Sequence, residues 1–182
     1  MTCLFKKRYY MNEKIALFEK VSFEEYKKSL NDENIKDIYD SIKLPKRATK
    51  GSAGYDFFAP YDILLKKGET IKIPTGIRVK MNDDYVLFLL PRSSLGFKYR
   101  LQLDNTVGVI DSDYYYSDNE GHIFIKLTND SKENKDMVVK KGEGICQGIF
   151  LKFGITIDDD TNEIRNGGFG STNKGWKLWI LK

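Results

Sequence analysis

The sequence contains few of the side chains that build disulfides, zinc sites and histidine-based catalysis. Its 182 residues include two cysteines, Cys3 and Cys146, and one histidine, His122. Because no Cys-x-x-Cys pair is present, we expect neither a disulfide framework nor a zinc knuckle. A single histidine also leaves Ser-His-Asp catalysis, Cys-His catalysis and His-ligated metal sites without their usual groups.

Proline, long apolar runs and a strong charge of one sign are scarce as well. Four prolines and 15 glycines, beside 41% apolar and 31% charged residues, exclude a collagenous or disordered chain. No apolar run approaches the roughly 18 residues of a membrane helix. Charge near the N-terminus stands where a signal peptide is apolar, so we expect a cytoplasmic protein with no membrane association. A net charge of +4 suits an anionic ligand but does not indicate nucleic acid.

Residues 1–44 have the periodicity of short helices. Ser22 and Glu25 form a capping-box pattern, in which each side chain accepts from the other residue's amide. Apolar residues then recur at helical spacing up to Leu30, and again from Ile35 to Ile42, with Asp32 as a possible cap of the second helix. We predict an arm with two short helices that packs on the main body.

From Tyr55 the period changes to that of short strands separated by turn residues. The predicted strands are Tyr55–Ala59, Ile63–Leu65, Thr70–Ile73, Ile77–Met81, Tyr85–Leu90, Val107–Ile110, His122–Thr128, Met137–Val139 and Ile145–Phe153. Many short strands at this spacing predict an all-β sandwich or closed barrel over residues 45–164. Residues 165–182 read as a mobile C-terminal arm.

The C-terminal arm has the composition of a nucleotide contact. Arg165, Ser171 and Thr172 can donate to phosphate oxygens, and glycines such as Gly170 let backbone amides approach an anion. Phe169 stands alone between glycines and is suited to stack on a base. A flexible glycine-rich tail is the alternative interpretation.

Two further segments combine polar groups with strand ends. Arg92, Ser93 and Ser94 follow an apolar strand and form a donor cluster for a di- or triphosphate, or equally the start of a helix. Asp111 follows another apolar strand, where a carboxylate can act as a general base toward water, although a plain polar turn is equally consistent. Asn105 near the same strand could hydrogen-bond to a pyrimidine.

The order of the segments resembles the five motifs of the trimeric dUTPase family. In this sequence they read Ala53-Gly-Tyr-Asp56, Pro91-Arg-Ser-Ser94, Gly108-Val-Ile-Asp111-Ser-Asp-Tyr114, Gly142-Glu…Gln147 and Gly167-Gly-Phe-Gly-Ser-Thr172. The N-terminal arm and the tail after Asn173 look like those of extended members in Firmicutes and their phages. Gly144 stands where the family usually has arginine.

The resemblance implies a jelly-roll-like β-barrel that forms a homotrimer with three shared active sites. It also implies Mg²⁺-dependent hydrolysis of dUTP to dUMP and pyrophosphate, which keeps uracil out of DNA and supplies dUMP for dTMP synthesis. The C-terminal arm would close over a neighbour's nucleotide. A protein partner of the N-terminal arm stays an open question.

The resemblance also assigns roles to individual residues. Asp111 would be the general base for the attacking water, and Tyr114 would pack against the sugar, where a ribose 2′-OH would clash. The uracil contacts would come from Asn105, Val109, Ile110, Phe124 and Phe169. The phosphate contacts would come from Arg92, Ser93, Ser94, Gln147, Arg165, Gly170, Ser171 and Thr172. Asp56 would hold water molecules of the Mg²⁺ shell.

Two other functions are consistent with parts of the pattern. A dCTP deaminase shares the Arg-Ser-Ser cluster but lacks the Gly-Gly-Phe-Gly-Ser-Thr arm and uses a glutamate base, so Asp111 and Phe169 argue against it. A nucleotide-sensing or partner-binding homologue with weak catalysis would keep the pocket and use the arm for a partner. Asp111, Arg92 and Tyr114 favour the enzyme.

Overall fold

The computed structural model of the protein describes residues 13–163 and residue 165. Short strands dominate it, because β-branched and aromatic residues alternate with polar ones between turns. In chain order the strands are β1 (Ala16–Lys20), β2 (Lys46–Arg47), β3 (Tyr55–Phe58), β4 (Ile63–Leu65), β5 (Thr70–Pro74), β6 (Ile77–Met81), β7 (Tyr85–Pro91), β8 (Leu101–Leu103), β9 (Gly108–Ile110), β10 (Phe124–Asn129), β11 (Met137–Val139) and β12 (Gly144–Lys152).

Helices are few and short in the described chain. They are α1 (Phe23–Lys27), α2 (Ile35–Asp40), α3 (Ser93–Tyr99) and a 3-10 helix at Ser112–Tyr116. None of the helices between residues 13 and 163 is long and apolar enough to span a membrane.

The strands form small antiparallel sheets that wrap around one core. The largest has the order β2-β3-β12-β7-β9, a second has the order β5-β10-β8, and the pairs β11-β4 and β1-β6 complete the wall. This arrangement confirms the predicted jelly-roll-like β fold. Alternate residues of each strand point inward, so Ile125 and Leu127 of β10 are fully buried beside Leu87 of β7 and Ile73 of β5.

The N-terminal segment differs from the prediction because a strand precedes its two helices. Strand β1 pairs antiparallel with β6, from Ala16 opposite Met81 to Lys20 opposite Ile77. Helices α1 and α2 follow it, where the apolar spacing predicts them. The segment is therefore hydrogen-bonded to the barrel rather than only packed on it.

The caps of these helices are only partly as predicted. The Ser22 hydroxyl accepts from the Glu25 amide at 3.1 Å, as a capping box requires. The reciprocal contact comes from Glu120, whose carboxylate accepts from the Ser22 amide at 2.7 Å. The prediction that Glu25 makes that contact is therefore wrong. Asp32 accepts from the Asn34 amide at 2.7 Å and lies one turn before α2, whose N-cap is Asn34.

Several other elements differ from the main prediction. Strands β2 and β8 are two and three residues long, too short to show a period. The Arg-Ser-Ser segment begins helix α3, the alternative that its composition left open. Strand β10 begins at Phe124 rather than His122, because the His122 amide donates to the Asn119 carbonyl and closes a turn there.

Candidate active site

Two recesses hold the described site residues that the sequence singled out. The larger is a cavity of about 650 Å³ between β7, β9 and β10. We call it the nucleoside cavity. It is lined by seven of the predicted residues, Asn105, Val109, Ile110, Asp111, Tyr114, Phe124 and Arg165.

Strand pairing holds the apolar part of the nucleoside cavity's wall. Ile110 of β9 lies opposite Leu87 of β7, and Gly108 lies opposite Leu89. A Cβ atom on Gly108 would stand 3.0 Å from the Cβ of Leu89, so glycine allows the two strands to approach. The ring of Phe124 forms another wall.

Buried hydrogen bonds fix the ring of Tyr114. The side chain is 7% exposed, and its hydroxyl donates to the His122 carbonyl at 2.8 Å. The Asn119 amide donates to the same hydroxyl at 2.8 Å. Burial raises the pKa of Tyr114, so the hydroxyl stays protonated and keeps donating.

The candidate base Asp111 lies at the mouth of this cavity. It is the residue before the 3-10 helix, and its side chain is about half exposed. The Arg165 guanidinium forms an ion pair with Asp111 and a second one with Asp113, where Nε and Oδ1 are 2.8 Å apart. Arg165, predicted as a phosphate contact, therefore touches carboxylates in this structure.

The second recess is smaller and polar, with a volume of about 280 Å³. We call it the phosphate recess. The predicted residues that line it are Asp56, Arg92, Ser93, Ser94 and Gln147. Strand pairing brings these residues together, because Gln147 of β12 lies opposite Asp56 of β3 and next to the end of β7.

Arg92 is held between two partners in the phosphate recess. Its Nε lies 3.2 Å from an Asp56 oxygen, and its guanidinium donates to the Gly144 carbonyl at 3.1 Å. A Cβ atom at position 144 would come within 2.5 Å of that guanidinium. Gly144, which departs from the usual family arginine, therefore leaves room for Arg92.

The two recesses share no lining residue, and Asp111 and Arg92 lie toward opposite ends of strand β7. Ile110 lies opposite Leu87, and Asp111 follows it toward the start of β7, whereas Arg92 follows the end of β7. Leu87 and Arg92 are five positions apart, which is about 16 Å along an extended strand. One chain therefore does not bring its own Asp111 to its own Arg92.

A family model described as dUTPase matches residues 40–173 of the chain. The chain belongs to the dUTPase family. The match includes both recesses and leaves the N-terminal strand β1, helix α1 and most of α2 outside.

Members of the dUTPase family are similar to this chain over most of their own length. A deoxyuridine 5'-triphosphate nucleotidohydrolase from Lactococcus lactis subsp. lactis strain IL1403 is 46% identical over 135 residues, which cover 72% of this chain and 88% of the relative. The crystal structure of dUTPase from Streptococcus mutans is 35% identical, with a TM-score of 0.59, and covers 76% of this chain and 97% of that one.

A more distant solved structure supports the fold alone. It is a mutant dUTPase from phage phi11 of S. aureus, described with a structural Mg(II) ion. It is 18% identical to this chain, with a TM-score of 0.59, and covers 82% of this chain and 98% of the phage chain.

The donor set of the phosphate recess fits a cation held mainly by substrate and water. Residues 13–163 and 165 contain no group of three or more histidine, cysteine or acidic side chains that could bind a metal ion. Asp56 contributes one carboxylate beside Arg92, Ser93 and Ser94. Because Mg²⁺ keeps several waters and binds phosphate oxygens, a single carboxylate suits a contact through water.

Several residues of the nucleoside cavity were missed by the sequence analysis. Lys72, Asp104 and Lys126 line it from β5, the β8–β9 turn and β10. Lys126 pairs with Asp104 at 2.8 Å and helps to lower the pKa of that carboxyl. Charged residues at outward strand positions normally belong to a solvated face, so no signal marked them. Phe169, Gly170, Ser171 and Thr172 lie outside the described residues.

Proposed function

We propose that this chain, as a member of the dUTPase family, hydrolyses dUTP to dUMP and pyrophosphate by attack of water on the α-phosphorus. The observation that carries the proposal is the position of Asp111 at the mouth of an apolar cavity of about 650 Å³. This volume lies within the roughly 300–1,000 Å³ of small-molecule sites. A partly exposed carboxylate there can accept a proton from water next to a bound nucleotide.

The nucleoside cavity supplies the contacts for base and sugar in this proposal. Asn105 and the backbone of Val109 and Ile110 offer amide and carbonyl groups to the uracil edge. Cytosine carries an exocyclic amine in place of one acceptor, so such contacts discriminate against it. Tyr114 packs against the sugar and Phe124 against the ring.

The phosphate recess supplies the charge for the triphosphate. Arg92 can donate two parallel hydrogen bonds to phosphate oxygens, and the exposed Ser93 and Ser94 can each donate one. Gln147 adds an amide donor. Phosphoryl transfer depends on positioning and neutralisation of charge, which these groups provide without histidine.

We propose Mg²⁺ as the cofactor, bound to the triphosphate. The ion neutralises charge on the phosphate oxygens when it is bound. Asp56 accepts hydrogen bonds from water molecules around it and orients Arg92 through the 3.2 Å contact. The chain's own residues therefore position the substrate, and Asp111 takes the proton.

We also propose a homotrimer in which neighbouring chains share each active site. The separation of about 16 Å along β7 between Leu87, which lies opposite Ile110, and Arg92 supports it. The nucleoside cavity of one chain would face the phosphate recess of the next. The C-terminal arm would close over the nucleotide through Phe169, Gly170, Ser171 and Thr172. The cytoplasmic location of the protein stays a prediction.

Release of pyrophosphate from dUTP, dCTP, dTTP and UTP, with and without Mg²⁺, tests the proposed function. We expect fast Mg²⁺-dependent release from dUTP and little from the other three nucleotides. Ammonia released from dCTP would indicate a deaminase instead. Binding of dUTP without turnover would indicate a nucleotide-sensing homologue.

A further inference from the structure

The N-terminal segment, outside the family match, touches the loop that carries the candidate base. This loop, residues 111–122, contains the 3-10 helix, and we call it the base loop. Strand β1 brings the N-terminal segment alongside β6, and the Val21 amide donates to the Gly76 carbonyl at 3.0 Å. The base loop packs against this segment through two separate side-chain bridges.

Glu120 forms the first bridge and does so from a strained backbone conformation. One carboxylate oxygen accepts from the Ser22 amide at 2.7 Å, and the other accepts from the Ser22 hydroxyl at 2.6 Å. Both contacts help to hold the pKa of Glu120 below its usual range. The φ angle of Glu120 is +57°, a left-handed conformation that disfavours residues with a Cβ atom. The bridge therefore offsets a local cost.

Tyr115 forms the second bridge. Its hydroxyl donates to Glu19 of β1 at 2.6 Å. The guanidinium of Arg78 stands 4.5 Å from the centre of the Tyr115 ring, and its Nε lies 3.5 Å from Glu19. The two bridges flank the base loop on either side of its turn, so the N-terminal segment fixes the loop at two points.

The turn between the bridges holds Tyr114 in the nucleoside cavity. Asn119 donates to the Tyr114 hydroxyl, and its side-chain oxygen accepts from the Ser117 hydroxyl at 2.9 Å and the Gly121 amide at 3.2 Å. Glu120 is the residue between Asn119 and Gly121. It therefore connects the Ser22 contact to the hydrogen bonds that Asn119 makes with Tyr114 and Gly121.

We propose that Glu120 is a positioning residue, which uses the N-terminal segment to place Tyr114 against the sugar and so sets the preference for deoxyribose over ribose. The proposal rests on the proposed function, because it assigns the nucleoside cavity to that sugar. It gives the N-terminal segment a role in the reaction, although none of residues 13–44 lines the nucleoside cavity.

The test compares Glu120→Gly with Glu120→Gln. Glycine accepts the left-handed backbone and removes the carboxylate, so its effect isolates the bridge. Glutamine keeps an oxygen for the Ser22 amide and restores most of the contact. We expect the ratio of kcat/KM for dUTP to kcat/KM for UTP to fall roughly tenfold in Glu120→Gly, since misplacement by about 1 Å can cost about 100-fold. The ratio should stay near wild type in Glu120→Gln.

Asp62→Ala is the matched control. Asp62 accepts from the Lys141 amide at 2.8 Å and pairs with Lys140 at 2.8 Å, so it also bridges distant segments through a carboxylate. It lines neither recess, and we expect its dUTP/UTP ratio to equal that of wild type. An unchanged ratio in folded Glu120→Gly, or an equal fall in Asp62→Ala, overturns the proposal.

Two further measurements separate this proposal from its premise. Equilibrium binding of dUMP and UMP to the same variants reports the sugar preference without turnover, so a wild type that releases no pyrophosphate contradicts the proposed function alone. Ser22→Ala removes the hydroxyl contact and leaves Glu120 in place, and it replaces Glu120→Gly if that variant does not fold. Its ratio should fall in the same direction by a smaller factor, and an unchanged ratio contradicts the proposal.

Discussion

In the proposed function, the two recesses would bind the two halves of a nucleotide by opposite means. The nucleoside cavity is walled by strand residues and by Tyr114, whose hydroxyl is buried and hydrogen-bonded. The phosphate recess presents exposed serines and an arginine held between Asp56 and a backbone carbonyl. A packed wall can match the shape of a base and sugar. A triphosphate instead needs hydrogen-bond donors that are exposed to solvent. The nucleoside cavity is therefore packed and the phosphate recess is open to solvent.

Asp111→Asn gives the largest expected effect on this comparison. The substitution keeps the shape of the nucleoside cavity and removes the carboxylate that we propose as the general base. We expect kcat for dUTP to fall at least about 100-fold, while dUTP still binds. Pyrophosphate release and equilibrium binding of dUTP measure the two quantities.

Asp113→Asn provides the control for the Asp111 variant. Asp113 lies in the 3-10 helix that follows Asp111 and contacts the same Arg165, but it is absent from the lining of the nucleoside cavity. We expect its kcat to stay within a few-fold of wild type. Equal losses in both variants would assign the effect to the Arg165 contact rather than to a base.

Mixed trimers test whether the two recesses act across chains. Asp111→Asn and Arg92→Gln should each be inactive alone. After the two are denatured and refolded together, roughly a quarter of shared sites would combine an intact Asp111 with an intact Arg92. Regained dUTP hydrolysis supports the shared site, and mixtures no more active than the separate variants would place both recesses of one site on one chain.

The sequence predicted most of the barrel because short runs of apolar and β-branched residues are separated by turn residues. Strands β4, β6 and β11 begin and end where those runs predict them. Strand β1 was missed since its residues Leu17 and Phe18 are adjacent apolar positions, and Leu17 is exposed. Pairing with β6, rather than a local period, makes this segment a strand.

The two recesses were predictable to different extents. Contiguous motifs such as Arg92-Ser93-Ser94 were found because their members are neighbours in the sequence. Asn119 and Glu120 were missed because only the fold brings them to their partners. Glu120 accepts from the Ser22 hydroxyl, which is 98 positions away in the sequence. Arg165 was found, but only the folded chain shows that it contacts Asp111.

Gly144→Ala should affect the phosphate recess and spare the nucleoside cavity. The new Cβ atom would stand 2.5 Å from the Arg92 guanidinium, which must move away from the Gly144 carbonyl. We expect the affinity for dUTP to fall about tenfold, comparable to the loss of one hydrogen bond to a charged group. Affinity for deoxyuridine should not change. Gly154→Ala is the control, because nothing lies within 4 Å of its added Cβ.

Acid should destabilise the fold beside the nucleoside cavity through protonation of His122. At neutral pH we expect no effect from this group. His122 is fully buried, its Nε2 accepts from the Gly76 amide at 3.0 Å, and its ring is 4.2 Å from that of Phe124. Burial, with a contribution from Lys72, lowers its pKa from 6.5 to about 4. Because the folded pKa lies below the unfolded one, this contribution to stability is complete above about pH 6.5 and decreases as the pH falls toward about 4.

The single histidine makes this expectation directly measurable. One imidazole Cε1–H resonance in an NMR titration belongs to His122, since the chain has no other histidine. We expect its midpoint near pH 4, and the unfolding free energy to fall by on the order of 3 kcal/mol between pH 6.5 and 4 from this group. A midpoint near 6.5 would mean that water reaches the ring. Phe124 and the His122 carbonyl that accepts from Tyr114 would then not be packed against a water-free core. The nucleoside cavity would be as solvated as the phosphate recess.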